Sequence, residues 1–215
     1  MAALAAVAAS VGIAEAAARA QSPDPTRLEK AFASFTSSPT LPAPAIHLQP
    51  AVLTWQGRDL DGDGRADFAD PTGRAPREVD AYGEGRFHAS RDGGSRLHEG
   101  VDYVADPGQV VDAPISGYVT KIGYAYPGDE VLRFVEIENP ALRLQARVFY
   151  VDPDVAVGQA VAVGQPIGRA HSLQQKYPGG ITDHVHLEIA DARGRKLDAA
   201  TMIVARADDG RLAAD

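Results

Sequence analysis

The sequence predicts a mainly β protein, built as an antiparallel sheet with a groove across one face. Three observations carry this. Long helical periodicity is absent after residue 50. The run Leu142-Arg143-Leu144-Gln145-Ala146-Arg147-Val148-Phe149-Tyr150 alternates apolar and polar positions, so one face is buried and the other is wet. The unit Val155-Ala156-Val157-Gly158-Gln159 returns as Val161-Ala162-Val163-Gly164-Gln165, too short a repeat for a solenoid and suited to two short strands or turns of one sheet. An antiparallel sheet of this kind can leave one face open to an extended substrate.

The elements follow in chain order. Residues 1–20 are Ala-rich and signal-like, and Ala18-Arg19-Ala20 resembles an A-x-A cleavage site. No basic stretch precedes the apolar run and Glu15 interrupts it. The expectation is an exported protein, periplasmic or extracellular, with no transmembrane anchor after processing. Residues 21–58 are punctuated by prolines and read as a linker, with a short helix over Glu29 to Phe35 and an isolated His47. Val131-Leu132-Arg133-Phe134-Val135-Glu136-Ile137 reads as a strand, turned at Asn139-Pro140 into the alternating run. Residues 199–215 form a tail.

Composition narrows the function. The chain has 215 residues, enough for one main domain with extensions and a sizeable core. It has no cysteine, which excludes a disulfide framework and thiolate metal sites. A net charge of -8 argues against a nucleic-acid partner.

Residues 59–70 are an extension with a calcium-type loop. Asp59, Asp61 and Asp63 fill positions one, three and five, Gly64 position six, Asp67 position nine and Asp70 position twelve. Calcium is a hard ion that takes six to eight oxygens, and the glycine allows the sharp turn. Asp70 is shorter than the usual bidentate Glu, and no flanking helices are evident. A lone Ca2+ loop that rigidifies the approach to the main domain is therefore expected.

His98, Glu99, Gly100, Val101 and Asp102 in mid-chain, with His184-Val185-His186 near the end, form a split set of metal-type residues. Zinc accepts nitrogen and oxygen ligands, and three of them leave a fourth position open for hydrolytic chemistry. Gly100 disfavours a helix that would put His98 and Asp102 on one face, so a loop entering a strand is expected. On a strand His184 and His186 point to the same side, roughly 7 Å apart. One can bind the metal while its neighbour reaches the reacting water or substrate oxygen. Glu188 shares that face and is placed to hydrogen-bond a ligand imidazole. Four metal-type residues in two clusters, in a chain with six histidines, are poorly explained as incidental surface positions.

H-x-x-x-D followed far downstream by H-x-H-x-E resembles the zinc peptidases of the lysostaphin and LytM type, peptidase family M23. The resemblance covers residues 83–198. It includes Gly108-Gln109-Val110-Val111-Asp112-Ala113-Pro114 with Gly117-Tyr118-Val119, and the later Val157-Gly158-Gln159 and Val163-Gly164-Gln165-Pro166-Ile167-Gly168. It implies Zn2+ held by His98, Asp102 and His186, with His184 as a catalytic histidine and peptidoglycan cross-bridges or stem peptides as substrate. Family members carry Y-x-H-L ahead of this hairpin. Here the segment reads Phe149-Tyr150-Val151-Asp152-Pro153, which puts Asp152 where that histidine belongs and assigns it a share of the catalysis. The same segment, with Leu173-Gln174-Gln175-Lys176-Tyr177-Pro178-Gly179, resembles the leukocyte cell-derived chemotaxin branch, which keeps the zinc fold and works by binding.

Two functions are thus expected, in order. The first is a zinc metalloendopeptidase acting on peptidoglycan. The second is a zinc-stabilised binding module for a wall fragment or a protein.

Overall fold

The structure is a computed structural model and describes residues 52–208. The signal-like segment, the short helix over Glu29 to Phe35, His47 and the last seven residues of the tail lie outside the described residues. Among those described, no helix is long and apolar enough to cross a membrane.

Sixteen strands lie among the described residues. They are β1 (Val52–Gly57), β2 (Val79–Asp80), β3 (Gly83–Glu84), β4 (Ser90–Arg91), β5 (Arg96–Leu97), β6 (Val101–Val104), β7 (Val110–Asp112) and β8 (Gly117–Tyr124). There follow β9 (Arg133–Asn139), β10 (Leu144–Phe149), β11 (Val151–Pro153), β12 (Ala160–Val161), β13 (Pro166–Ala170), β14 (His184–Asp191), β15 (Lys196–Leu197) and β16 (Ile203–Asp208). The main sheet has seven strands in the order β12-β8-β9-β10-β14-β15, with β6 also paired to β14. A smaller sheet, β11-β13-β7, shares its core. Every strand pair is antiparallel.

The period-two pattern explains how the sheet divides its residues. In β10, Leu144, Ala146 and Val148 are buried, while Gln145, Arg147 and Phe149 face the other way. In β14, Val185, Leu187 and Ile189 enter the core and His184, His186 and Glu188 take the opposite face. Val101 and Tyr103 of β6 likewise enter the core, which leaves Asp102 on the histidine face. Val111, Val151 and Ile167 of the smaller sheet close that core from the other side.

The V-A-V-G-Q units are turns. Gln159 N–H donates to the Ala156 carbonyl at 3.1 Å while its side-chain oxygen accepts from Ala156 N–H, also at 3.1 Å. Gln165 repeats both bonds with Ala162, at 3.0 and 3.1 Å. Asp106-Pro107-Gly108-Gln109 is a third copy, with 2.9 and 3.1 Å. Each has its glycine at positive φ (88°, 76° and 81°), which the third residue of such a turn requires.

The ends of the domain differ from the sequence expectation. The linker read as running to residue 58 ends in β1, which pairs along its length with β16. The tail begins with a buried Ala199 and contributes Ile203 to the core. Trp55 and Ile203 share the inward face of this ribbon and pack on the core, but the pairing joins opposite ends of the domain and no local pattern announces it.

Candidate metal centre

His98, Asp102 and His186 converge. His98 Nε2 lies 2.9 Å from His186 Nδ1 and 3.1 Å from Asp102 Oδ1, and the last two atoms are 2.9 Å apart. Each arrives on a different element. The β4–β5 hairpin delivers His98, whose N–H donates to the Ala89 carbonyl at 2.8 Å. β6 carries Asp102 directly across from His186 on β14. Gly100 lets β6 come this close. A Cβ there would sit 2.3 Å from the Leu187 carbonyl oxygen and 2.7 Å from His186 Cε1.

The outer contacts of the triad fix which atoms face inward. His98 Nδ1–H donates to the Arg86 carbonyl at 2.8 Å, so Nε2 keeps its lone pair. His186 Nε2–H reaches Glu188 Oε1 at 3.4 Å, which leaves Nδ1 as the nitrogen that faces the triad. Asp102 Oδ2 is held by Arg77 at 2.7 Å, which aims Oδ1 at the histidines. Two imidazole nitrogens and a carboxylate oxygen thus meet at one point. Zinc bonds of about 2.0–2.1 Å put tetrahedral ligands roughly 3.3 Å apart, close to the edges of this triangle. The donor set fits the metal: nitrogen and oxygen, supported from behind.

Electrostatics agree. Burial opposes ionisation of Asp102, but the His186 and His98 rings against it hold its carboxyl well below the usual range. Burial alone would lower His186, yet Asp102 and Glu188 raise it to about 9 in the metal-free protein. Burial resists ionisation of Glu188 too, and His186 and Lys196 bring it down to about 2. A metal entering the site therefore displaces one proton.

His184 stands beside the triad. Its Nδ1–H donates to the Thr182 carbonyl at 2.6 Å, and its Nε2 lies 3.6 Å from Asp102 Oδ1. Burial lowers its pKa, so it is neutral near pH 7 with a lone pair on Nε2. The triad and His184 line one cleft of about 530 Å³, together with Phe149, Tyr150, Tyr126 and Tyr177.

Asp152 is not among the cleft residues, which corrects the expectation that it takes the place of the missing histidine. It lies on β11, more than half exposed, and both its oxygens face His171 Nδ1 at 2.9 and 3.0 Å. The reason is local. Tyr150 adopts φ 65°, a break between β10 and β11 that shifts the alternation. Tyr150 enters the cleft instead, its ring edge-on to His184 with centroids 5.5 Å apart. Its hydroxyl is bonded to that of Tyr126, which accepts a hydrogen bond from Tyr177 at 2.8 Å. Burial raises the pKa of all three hydroxyls, so they remain protonated donors. The Y-x-H comparison drew attention to its third position, although Tyr150 is the tyrosine of that motif.

The aspartate loop forms only in part. Asp59, Asp61 and Asp63 bring carboxylate oxygens together. Asp59 accepts from Gly62 N–H at 2.6 Å and Gly64 N–H at 2.8 Å, closing the turn. Asp67 instead accepts from Leu60 N–H at 2.7 Å, outside that group. Asp70, expected as the twelfth-position ligand, turns away and is buried. Its Oδ1 accepts from Thr72 and Gly73 N–H at 2.8 Å each. Pro71, directly after it, starts a separate turn that claims the side chain. The five-aspartate ligand set is therefore not assembled.

Comparison with known proteins agrees with this site. The profile of Peptidase family M23 matches residues 96–199. Leukocyte cell-derived chemotaxin-2 of Mus musculus is 33% identical over 121 residues, covering 54% of this chain and 74% of that protein. The Bos taurus counterpart is 29% identical over 120 residues, covering 54% and 73%. Among solved structures, lysostaphin in solution aligns at 20% identity and TM-score 0.44, covering 59% of this chain and 51% of its own. A zinc-containing peptidase from Vibrio cholerae aligns at 23% and TM-score 0.46, covering 62% and 39%. The chain thus spans about half or less of these two solved proteins. With three quarters of the mouse relative matched and the profile lying over the metal triad, the chain belongs to peptidase family M23.

Proposed function

We propose that the protein is an exported zinc-dependent endopeptidase acting on peptide cross-bridges or stem peptides of bacterial peptidoglycan. The observation that carries this reading is the His98–Asp102–His186 triangle in an open cleft, with the His184 lone pair beside it. Zinc held by His98 Nε2, Asp102 Oδ1 and His186 Nδ1 supplies a Lewis acid that activates water and polarises a peptide carbonyl.

The chain's own residues supply the rest. His184 Nε2 accepts the proton of the attacking water and returns it to the departing amine. The Thr182 carbonyl holds its tautomer through this cycle. Tyr150 donates its hydroxyl proton to the carbonyl oxygen as negative charge develops there. Tyr177 donates to Tyr126, and when Tyr126 in turn donates to Tyr150 the Tyr150 proton is free for the substrate. Phe149 packs against the His186 ring at 5.3 Å and keeps that ligand from turning.

A separate structural role is proposed for Asp59, Asp61 and Asp63, as a weak calcium turn that stiffens the segment leading into the domain.

One observation favours the second reading, a zinc-stabilised binding module. The curated relatives are described as chemotaxins, and Asp152 stands at the motif position where family peptidases carry a histidine. The deciding experiment measures new amino groups released from purified peptidoglycan by the zinc-loaded full chain, beside His186→Ala. Release that disappears in the variant supports the peptidase. A folded, zinc-replete protein that releases none, across walls of several cross-bridge types, rejects it in favour of the binder.

A further inference from the structure

Three guanidinium groups line the cleft, and two of them are matched. Arg77 pairs with Asp80 and Asp102, at 2.7 Å each. Arg96 pairs with Asp92 at 3.0 Å. Arg91 has no carboxylate of its own among the described residues. Its nearest is Asp102 Oδ2 at 3.6 Å, the oxygen that Arg77 already holds. Its hydrogen bonds go to neutral acceptors, from Nη2 to the Glu84 carbonyl at 2.6 Å and from Nη1 to the Ser90 carbonyl at 3.2 Å. Nε and one N–H of each terminal nitrogen are unspent among these contacts.

This guanidinium is also largely out of water, its side chain 14% exposed. Burial penalises its charge most, Asp102 offsets part of that, and the guanidiniums of Arg77 and Arg96 add repulsion. A buried charge whose only carboxylate is shared with a second, closer cation is unfavourable unless a ligand supplies a further counter-ion. The position is specific as well. Arg91 touches the outer oxygen of the carboxylate whose inner oxygen belongs to the metal triad, so the two features lie roughly 6 Å apart, within two residues of extended peptide. Arginine offers a planar fork that matches a carboxylate in two-point contact. Asp92 lines the same cleft and disfavours a dianion such as phosphate.

We infer that Arg91 is a carboxylate-recognition site, and that the cleft takes a peptide carrying a free carboxylate next to the bond presented to the metal centre. The identity of that bond rests on the peptidase reading above, whereas the carboxylate contact does not require turnover.

Two N-acetylated phosphinic pseudo-tripeptides test this, identical except that one ends in a free carboxylate and the other in a carboxamide. Their binding to the zinc-loaded full chain is measured by calorimetry, for the parent protein, Arg91→Met and Arg91→Lys. The expected result is that the parent binds the acid about tenfold or more tightly than the amide. Arg91→Met should weaken the acid alone and bring the two within about twofold, while Arg91→Lys keeps part of the preference. Equal binding of acid and amide by the parent would overturn the inference, as would an equal loss for both ligands in Arg91→Met. If Arg91→Met does not fold, the parent ratio and Arg91→Lys decide the matter. An acid preference in a protein that releases no amino groups from peptidoglycan would uphold the carboxylate site and reject the peptidase.

Discussion

Replacing Gly100 by Ala probes the closest approach in the metal centre. The added Cβ would lie 2.3 Å from the Leu187 carbonyl oxygen and 2.7 Å from His186 Cε1. That is about 1 Å inside ordinary van der Waals contact. Neither neighbour yields easily, since Leu187 lies across from Val101 in the β6–β14 register and His186 is a metal-triad residue. Relief must therefore part β6 from β14, the strands that carry Asp102 and His186. Crowding of this kind costs about 1–3 kcal/mol, or about 2–12 °C in melting temperature for a domain of this size. Zinc sites tolerate about 0.2 Å in ligand distance, so zinc affinity should also fall about 10- to 100-fold. Competition titration against a chromophoric chelator and thermal melts with and without chelator measure both effects. If Gly100→Ala binds zinc within about threefold of the parent and melts within about 1 °C of it, the tight approach of the two strands is wrong.

Other expectations can be checked beside it. Tyr150→Phe should lower kcat about 10²- to 10³-fold with little change in KM, the scale of losing one oxyanion donor, while Asp152→Asn should leave kcat within about twofold. Zinc affinity should rise with pH by about tenfold per unit from pH 7 toward 9, then level off, as the proton on His186 ceases to compete. The same proton should make the metal-free fold pH-sensitive in the opposite direction. His186 is raised from 6.5 to about 9 on folding, so its stabilisation is complete below pH 6.5 and is lost as pH rises through 9. Melts of metal-free protein at pH 6.5 and 9 would show this, and a flat profile would contradict it. Calcium should raise the melting temperature of the parent and of Asp70→Asn alike but not of Asp59→Ala, because Asp70 lies outside the aspartate group.

Much of the molecule was legible from local pattern. Period-two alternation exposed the buried face of β10, and the spacing of His184, His186 and Glu188 put all three on one side of a strand before any partner strand was known. Gly100 signalled that His98 and Asp102 meet through a loop and strand, and the structure adds why a glycine is needed there. These features depend on chain geometry over a few residues, which sequence states directly. Other features depend on what crosses from elsewhere. The β1–β16 ribbon joins segments some 150 residues apart, and the alternation within each strand does not name its distant partner. Asp152 matched a motif by counting, but the positive φ at Tyr150 changed which side chain enters the cleft. The Asp70 carboxylate followed the turn begun at Pro71 in preference to the acidic loop before it. The surplus charge of Arg91 exists only because folding assigns Asp102 to Arg77 and Asp92 to Arg96. Residue types and their periods set which groups are available and which way a strand presents them. Pairing between distant groups, and the one guanidinium left over, follow from packing in three dimensions, because a partner's charge acts through space and has no fixed offset along the chain.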